Sequence, residues 1–409
     1  MGDESLEPKL RFAGFDDDWE IKKLDDLSKI QRGASPRPIS SKKWYDFENK
    51  NVGWVRIGDV TSSSKYLTET EDYFSEEGIK KSRFLPKGSL IMSICATIGK
   101  PIITDIDTCI HDGFVGFSEL NINKEFLYYY LNILEPKFYS LSQTGSQANL
   151  NSDLVRISKI GVPSEKEQEK IVKFLSMMDN KIKLLEKKYD SYLNFKKYLM
   201  QQIFAQKLRF ADNENWKTVK LGDVCKITMG QSPSSENYSE NNFHTVLIQG
   251  NADIINGKVV PRVYTSEITK ISKPGDIIMT VRAPVGDLAI NEFESCIGRG
   301  VCSIEGNKFI YYLLQSLKDN HVWERLSQGS TFESINSNDI KNLKVKMPSE
   351  ETQNTISLFL TEIDSKIELY EIQFLTFQKL KKGLLQQMFV CLWKLIKKLM
   401  KLKSDFITE

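Results

Sequence analysis

Histidine is scarce in this chain, three in 409 residues, and its six cysteines at 95, 109, 225, 296, 302 and 391 form no Cys-x-x-Cys pair. Neither a structural zinc centre nor a redox dithiol can be read from such spacing. Reduced thiols in a cytoplasmic protein are the simplest expectation. No apolar run approaches the ~18–20 residues that a membrane-spanning helix needs. The first ten residues, MGDESLEPKL, are acidic and polar, unlike a secretory signal. A large excess of either charge is also missing: 56 Lys+Arg against 54 Asp+Glu leave +2, with no global sign of a nucleic-acid or membrane partner.

Catalytic motifs are missing too. Ala96-Thr-Ile-Gly-Lys-Pro101 lacks the earlier glycine and the following hydroxyl of a phosphate loop. No Gly-x-Gly-x-x-Gly opens a helix after a strand, and no Asn-Pro-Pro-aromatic motif of an amino-methyltransferase occurs. His111-Asp112 could form a general-base pair, but the matching positions later in the chain are Gly298-Arg299. The carboxylate pairs Asp105/Asp107 and Glu76/Glu77 fit solvated turns better than a metal site. The expectation is a chain with no catalytic residue and no metal ligand set.

What the sequence does contain is duplication. Ile171, Leu175, Met178, Ile182, Leu185, Tyr189, Tyr192, Lys196, Leu199 and Ile203 recur in alternating steps of four and three. So do Ile356, Leu360, Ile363, Ile367, Tyr370, Phe374, Phe377, Lys381, Leu384 and Met388. That spacing keeps one apolar seam turned toward a partner helix, and both seams carry a lysine at the eighth step. Off the seam, Pro163-Ser164 matches Pro348-Ser349, Gln168 matches Gln353, Phe174 matches Phe359, and Gln201-Gln202-Ile203-Phe204 matches Gln386-Gln387-Met388-Phe389.

The stretches between the helices repeat as well. Trp19-Glu-Ile-Lys-Lys-Leu24 is answered by Trp216-Lys-Thr-Val-Lys-Leu221, and Gly33-Ala-Ser-Pro36 by Gly230-Gln-Ser-Pro233. Ala96-Thr-Ile-Gly99 is answered by Ala283-Pro-Val-Gly286, Cys109-Ile-His-Asp-Gly113 by Cys296-Ile-Gly-Arg-Gly300, and Phe126-Leu-Tyr-Tyr129 by Phe309-Ile-Tyr-Tyr312. Short apolar runs edged by Gly and Pro, such as Gly53–Gly58 and Ser89–Ala96, predict strands. The spacing of Phe126, Leu127, Tyr130, Leu131 and Leu134 predicts a helix over 124–139. The fold class is therefore α/β, with two similar globular blocks separated by two long antiparallel helices in a coiled coil, pseudo-two-fold. Framework positions match and many between them do not, which suggests one fold used twice with two different surfaces.

Lys9-Leu-Arg-Phe-Ala13 also matches Lys207-Leu-Arg-Phe-Ala211, which follows the first long helix. The N-terminal piece thus reads as the continuation of the second helix, cut by the chain ends, and Lys9 is expected near Phe389. The segments are 1–15, completing this circular repeat; 16–162, the first block; 163–208, the central helix; 209–347, the second block; 348–390, the C-terminal helix; and 391–409. That last stretch, basic and rich in leucine, reads either as a membrane-surface or partner helix, or as a surface extension of the second long helix or a tail with no set role. Neither block is basic: residues 1–160 hold 21 Lys+Arg against 24 Asp+Glu, and 209–345 hold 15 against 16.

Two matched blocks alternating with two matched helices, in a cut-circle repeat, resemble the specificity subunit of type I restriction-modification enzymes. The likeness is carried by the Trp segments, the Gly-x-Ser-Pro loops, the Pro-Ser-x-x-x-Gln helix entries and the Lys-Lys-x-Leu-x-Gln-Gln-x-Phe exits, and covers the chain to about Val390. The resemblance implies that each block is a target recognition domain reading one half of an asymmetric bipartite site in double-stranded DNA. It implies that the helices set the spacing and dock two methyltransferase subunits, with restriction subunits completing the assembly. S-adenosylmethionine, ATP and Mg are then expected on those partners and none on this chain.

Base reading needs Arg, Lys, Asn or Gln on loops, and phosphate contacts need Lys, Arg, Ser or Thr. The candidates are Arg32, Lys42, Lys43, Arg56, Arg83, Lys100, Gln143 and Gln147 in the first block, and Gln231, Arg262, Arg282, Arg299, Gln328 and Thr331 in the second. For each, a solvated or locally paired side chain is the alternative. Trp44 and Tyr45 either pack on a sugar-phosphate or form a core edge. The rival functional reading is a coiled-coil scaffold that binds protein and no DNA, favoured by the lack of basic domains.

Overall fold

The computed structural model describes residues 7–142, 149–211, 214–327 and 334–390. Gln143, Gln147, Gln328, Thr331 and the tail 391–409 lie outside the described residues. By its internal contacts the chain divides into two compact units, Met1–Lys183 with Phe374–Glu409, and Leu184–Gln373. The division falls inside both long helices, Glu165–Phe204 and Glu350–Met388, so each unit is one block plus half of each helix.

The first unit centres on a five-stranded sheet in the order Lys29–Arg32, Phe114–Ser118, Leu90–Ser93, Pro101–Thr104, Tyr66–Leu67. Its neighbours are antiparallel except for the last pair, which is parallel. Side chains alternate across a strand, and both faces here are covered. Leu90, Met92, Ile103 and Val115 pack with the helix Lys124–Ser142 and the long helices, while Ile91, Ile102 and Phe114 pack with Val55, Leu85 and Ile110 of a four-stranded sheet. That explains near-continuous apolar runs in place of alternating ones. Asn123 caps the helix by accepting from Glu125 N at 3.0 Å and Phe126 N at 3.1 Å. The predicted strand at 53–58 ends at Val55, because Asp59 accepts from Arg56 N at 2.7 Å and starts the short helix Ile57–Ser62.

The second unit repeats the plan. A six-stranded sheet runs Lys226–Met229, Val301–Glu305, Ile277–Thr280, Leu288–Ile290, Lys258–Val259, Ile254–Ile255. Ile277 and Met279 face the helix Lys308–Asp319, and Ile278, Ala289 and Val301 face a second, five-stranded sheet. In both units a two-stranded ribbon joins the Trp segment to the strand that feeds the long helix: Glu20–Lys23 with Lys159–Val162, and Lys217–Lys220 with Lys344–Met347.

The repeated motifs have repeated physical jobs. Gln168 Nε2 donates to Pro163 O at 2.9 Å and Gln353 Nε2 to Pro348 O at 3.1 Å, closing the first turn of each long helix. Trp19, Phe126 and Phe389 form an aromatic trio with centroids 5.1–6.2 Å apart; Trp216, Phe309 and Phe204 form its counterpart at 5.6–6.4 Å. Leu10 N donates to Gln387 O at 2.9 Å, just as Leu208 N donates to Gln202 O at 3.1 Å. Phe12 meets Phe174 edge-on at 5.7 Å and Phe210 meets Phe359 at 5.4 Å. The N-terminal segment thus occupies, beside the end of the second helix, the place that the continuing chain occupies beside the end of the first.

Within each unit the helix halves run antiparallel. In the first, Asp179 pairs with Lys381, and Lys181 lies over the ring of Phe377 at 5.7 Å. In the second, Lys188 lies over Tyr370 at 5.3 Å, and Lys196 pairs with Asp364 at 2.6 Å. The lysine at the eighth seam step is therefore the partner of an aspartate on the other helix. The block joins the same junction: Tyr129 OH donates to Asp179 at 2.6 Å and Tyr312 OH to Asp364 at 2.7 Å. Burial raises both tyrosine pKa values, so these hydroxyls keep their protons. Ile171, Leu175, Met178, Leu185, Ile356, Leu360 and Ile363 are buried, whereas Ile182, Tyr189, Ile367, Tyr370 and Phe374 are half-buried. Of the buried positions, Ile171 and Leu175 join the core of the first block and Ile356, Leu360 and Ile363 that of the second.

Candidate nucleic-acid interface

In the second unit, strand Thr245–Ile248 lies parallel to Ser295–Ile297, with Ile248 opposite Ile297. The chain leaves these strands as Gln249-Gly250 and Gly298-Arg299-Gly300. Glycine is needed here because three backbones touch. A Cβ on Gly230 would stand 2.0 Å from Gly298 O, and one on Gly300 2.0 Å from Gln249 O. The result is a cleft of about 470 Å³ whose lining includes Ser232, Gln249, Asn251, Arg282 and Arg299.

Its frame is held by hydrogen bonds. Ser232 Oγ accepts from Arg299 N at 3.1 Å. Buried Asp253 accepts from Gln249 N at 2.8 Å, Gly250 N at 3.2 Å and Arg262 Nε at 3.0 Å. Arg282 and Arg299 are exposed, and among the described residues neither side chain has an ion-pair or hydrogen-bond partner. The lining residues named hold donors and amide acceptors but no carboxylate.

The same place in the first unit is built from other residues. Strand Gly53–Val55 lies parallel to Thr108–Ile110, with Val55 opposite Ile110. Arg56, His111 and Asp112 therefore stand where the second unit has Gln249, Gly298 and Arg299, and Cys95 stands where it has Arg282. Gly33 keeps the role of Gly230: a Cβ there would meet His111 O at 2.1 Å. The floor is filled, because Cys95 Sγ and His111 Cε1 crowd the space above Gly113, 2.3 and 2.4 Å from where a Cβ would sit. His111 stacks edge-on to Phe114 at 4.7 Å, and its Nδ1 accepts from Gly113 N at 2.8 Å. Burial lowers its pKa, with Asp112 opposing. Asp112 takes a hydrogen bond from Ser35 Oγ at 2.8 Å, which lowers its own pKa. Arg32 Nε donates to Asp112 O at 2.7 Å and Arg56 Nε pairs with Asp72 at 2.5 Å.

The other candidates are differently placed. Lys42 and Lys43 are exposed on a short turn, and Lys43 lies over the Trp44 ring at 4.1 Å. Trp44 is buried with its Nε1 donating to Pro38 O at 2.9 Å, so it belongs to the core. Lys100 is tied to Thr61 O at 3.1 Å, and burial lowers its pKa. Arg262 is held by Asp253, and Arg83 is half-buried with no partner for its Nε among the described residues. Gln231 is exposed, its backbone N fixed to Ile297 O at 2.8 Å. Sequence reasoning missed Ser232, Gln249 and Asn251. The signal available was a Gln-Gly step directly after an apolar run, parallel to the Arg-Gly step at 299–300.

Three buried cysteines keep their thiol protons. Burial pushes the Cys109 and Cys302 thiols up to about 12 and Cys225 up to about 11. Among the described residues no group of three or more His, Cys, Asp or Glu could hold a metal ion, and no helix is long and apolar enough to cross a membrane.

Comparison with known proteins gives one consistent result. The family model of the type I restriction modification DNA specificity domain matches residues 16–191 and 213–375. A Methanocaldococcus jannaschii protein, provisionally named the type I restriction enzyme MjaX specificity subunit, is 29% identical over 92% of this chain and 94% of its own length. The MjaIX specificity subunit of the same organism is 23% identical over 91% and 92%. The EcoprrI specificity subunit of Escherichia coli is 21% identical over 84% and 86%. Among solved structures, the type I restriction-modification S subunit from M. genitalium superposes with a TM-score of 0.61 at 16% identity, over 94% of this chain and 99% of that one. A chain from a structural study of type I complex assembly and conformational transition gives 0.63 at 20%, over 91% and 98%. At these identities the structures speak for the fold alone.

Proposed function

This chain belongs to the family of type I restriction modification DNA specificity domains, of which it carries two, and from that premise we propose that it is the sequence-reading subunit of a methylation and restriction complex. Each block reads one half of an asymmetric bipartite site. The long helices fix the distance between the halves and dock two methyltransferase subunits. Methyl transfer, with S-adenosylmethionine, and cleavage, with ATP and Mg, are the work of the partner subunits.

One observation carries this reading: two units share their frame residue by residue yet differ where the parallel strand pair ends. Arg56, His111, Asp112 and Cys95 stand in one, against Gln249, Gly298, Arg299 and Arg282 in the other. A pure scaffold would have no need of open, unpaired arginines over a glycine floor. The first helix, at 40 residues, is about 60 Å long at 1.5 Å per residue. That bounds a spacing of one DNA turn, about 34–36 Å. Docking has support in exposed apolar positions that recur in the repeat: Leu184 with Leu369, and Phe195 with Leu380, all 48–56% exposed.

The test is a methylation map of a host with and without this gene, its partner subunits present. The reading predicts a new bipartite methylated motif. No gene-dependent change in any motif would favour the scaffold instead.

A further inference from the structure

We infer that the cleft of the second unit is the guanine-reading element of its half-site, with Arg282 and Arg299 as base-contacting residues and Gln249 and Asn251 as candidate adenine readers. The inference rests on the DNA-reading function proposed above and narrows it to named residues and base chemistry.

Three properties of the cleft carry it. The first is chemical selectivity. A guanidinium fork matches the O6 and N7 acceptors of guanine, and a carboxamide matches the donor and acceptor of adenine. A carboxylate, the strongest acceptor for the amino group of cytosine, is missing from the lining residues. The second is availability. Arg262 is also exposed but spends its Nε on buried Asp253 at 3.0 Å, while Arg282 and Arg299 have no such partner among the described residues. The third is rigidity. The backbone contacts at Gly230 and Gly300, the Ser232 bond to Arg299 N and the Asp253 bonds to Gln249 N and Gly250 N hold the backbone at Gln249 and Arg299, and an antiparallel bridge to Ser334 holds it at Arg282, before DNA arrives. A backbone fixed in advance leaves only the side chains to be ordered on binding.

The first unit supplies the contrast. Its equivalents of Arg282 and Arg299 are Cys95 and Asp112, neither of which can present a guanidinium fork. The arginines that flank this place in the first unit are engaged, Arg56 by Asp72 at 2.5 Å and Arg32 by Asp112 O at 2.7 Å, so among the described residues only the second unit presents unpaired arginines here.

The experiment maps methylation at single-base resolution in cells expressing the full chain with its partner subunits, comparing the unaltered protein with Arg282→Ala, Arg299→Ala and Arg282→Lys. Each alanine variant is expected to lower the preference for one guanine in one half-site by roughly 10- to 100-fold, leaving the other half-site unchanged. Lysine should retain part of that preference. Thermal unfolding of the purified variants should match the parent, since both arginines are exposed. Uniform weakening on every sequence would identify phosphate contacts and overturn the assignment. So would a change in both halves, a change at a base other than guanine, or no change. If the unaltered complex methylates no gene-dependent motif, the function proposed above fails and takes this assignment with it.

Discussion

The two units of this chain hold their helices in the same way and present unlike surfaces at the same place. Trp19, Phe126 and Phe389 are matched by Trp216, Phe309 and Phe204; Tyr129, Asp179 and Lys381 are matched by Tyr312, Asp364 and Lys196. Where the parallel strands end, one unit packs a histidine and a cysteine into its floor, and the other leaves glycines and an open cleft. Duplication has thus kept what fixes a block to a helix and released what faces outward. Even within the frame, coverage differs. Trp19 is fully buried while Trp216 is only partly so. Lys65 of the first block is buried against Glu125 at 2.8 Å and Tyr129 at 3.0 Å, whereas Lys258 of the second meets Glu368 at 2.8 Å in solvent.

Those differences can be pressed experimentally. The largest effect is expected at the aromatic trio: Trp19→Ala should cost about 3–5 kcal/mol, and Trp216→Ala clearly less. Denaturant unfolding of the two variants checks this, and equal losses would break the argument from coverage. Next come the lysines. Lys65→Met strips a charged donor from a buried cluster and should cost about 1–3 kcal/mol; Lys258→Met removes an exposed pair worth about 0–1 kcal/mol. The smallest effect concerns pH. His111 has its pKa lowered below the ordinary 6.5 by burial. Its folded value therefore lies under its unfolded one, so the stability it lends is present above pH 6.5 and is lost as pH falls through that value toward the folded pKa. His111→Gln should flatten the dependence of melting temperature on pH below 6.5, an effect with no counterpart at Gly298. An unchanged slope would show that His111 titrates as if unfolded.

The frame was legible in the sequence because every contact in it is made twice. A tryptophan five residues before a leucine, a glutamine five residues after a proline and a lysine on an apolar seam each acquire meaning from their copies. The structure adds the reason for the seam lysines: each answers an aspartate on the other helix. The proposed reading surface was less legible for the opposite reason. Ser232, Gln249, Arg282 and Arg299 come from four separate strand ends spread over 67 residues, and nothing in their local sequence joins them. Charge drew notice to Arg282 and Arg299, but equally to Arg262 and Lys100, which the fold uses internally. The uncharged Gln249 and Asn251 carried only a glycine between them as a signal. At Arg56, a local cap by Asp59 overrode the β pattern and turned a predicted strand into a helix start.

The central claim is the proposal that one chain carries two unlike reading heads. The most direct measurement is the methylated motif of a host expressing this chain with its partner subunits, read at single-base resolution. The account predicts two different half-sites separated by a spacer of fixed length and no defined sequence. A palindrome with identical halves, or one uninterrupted motif, would contradict it.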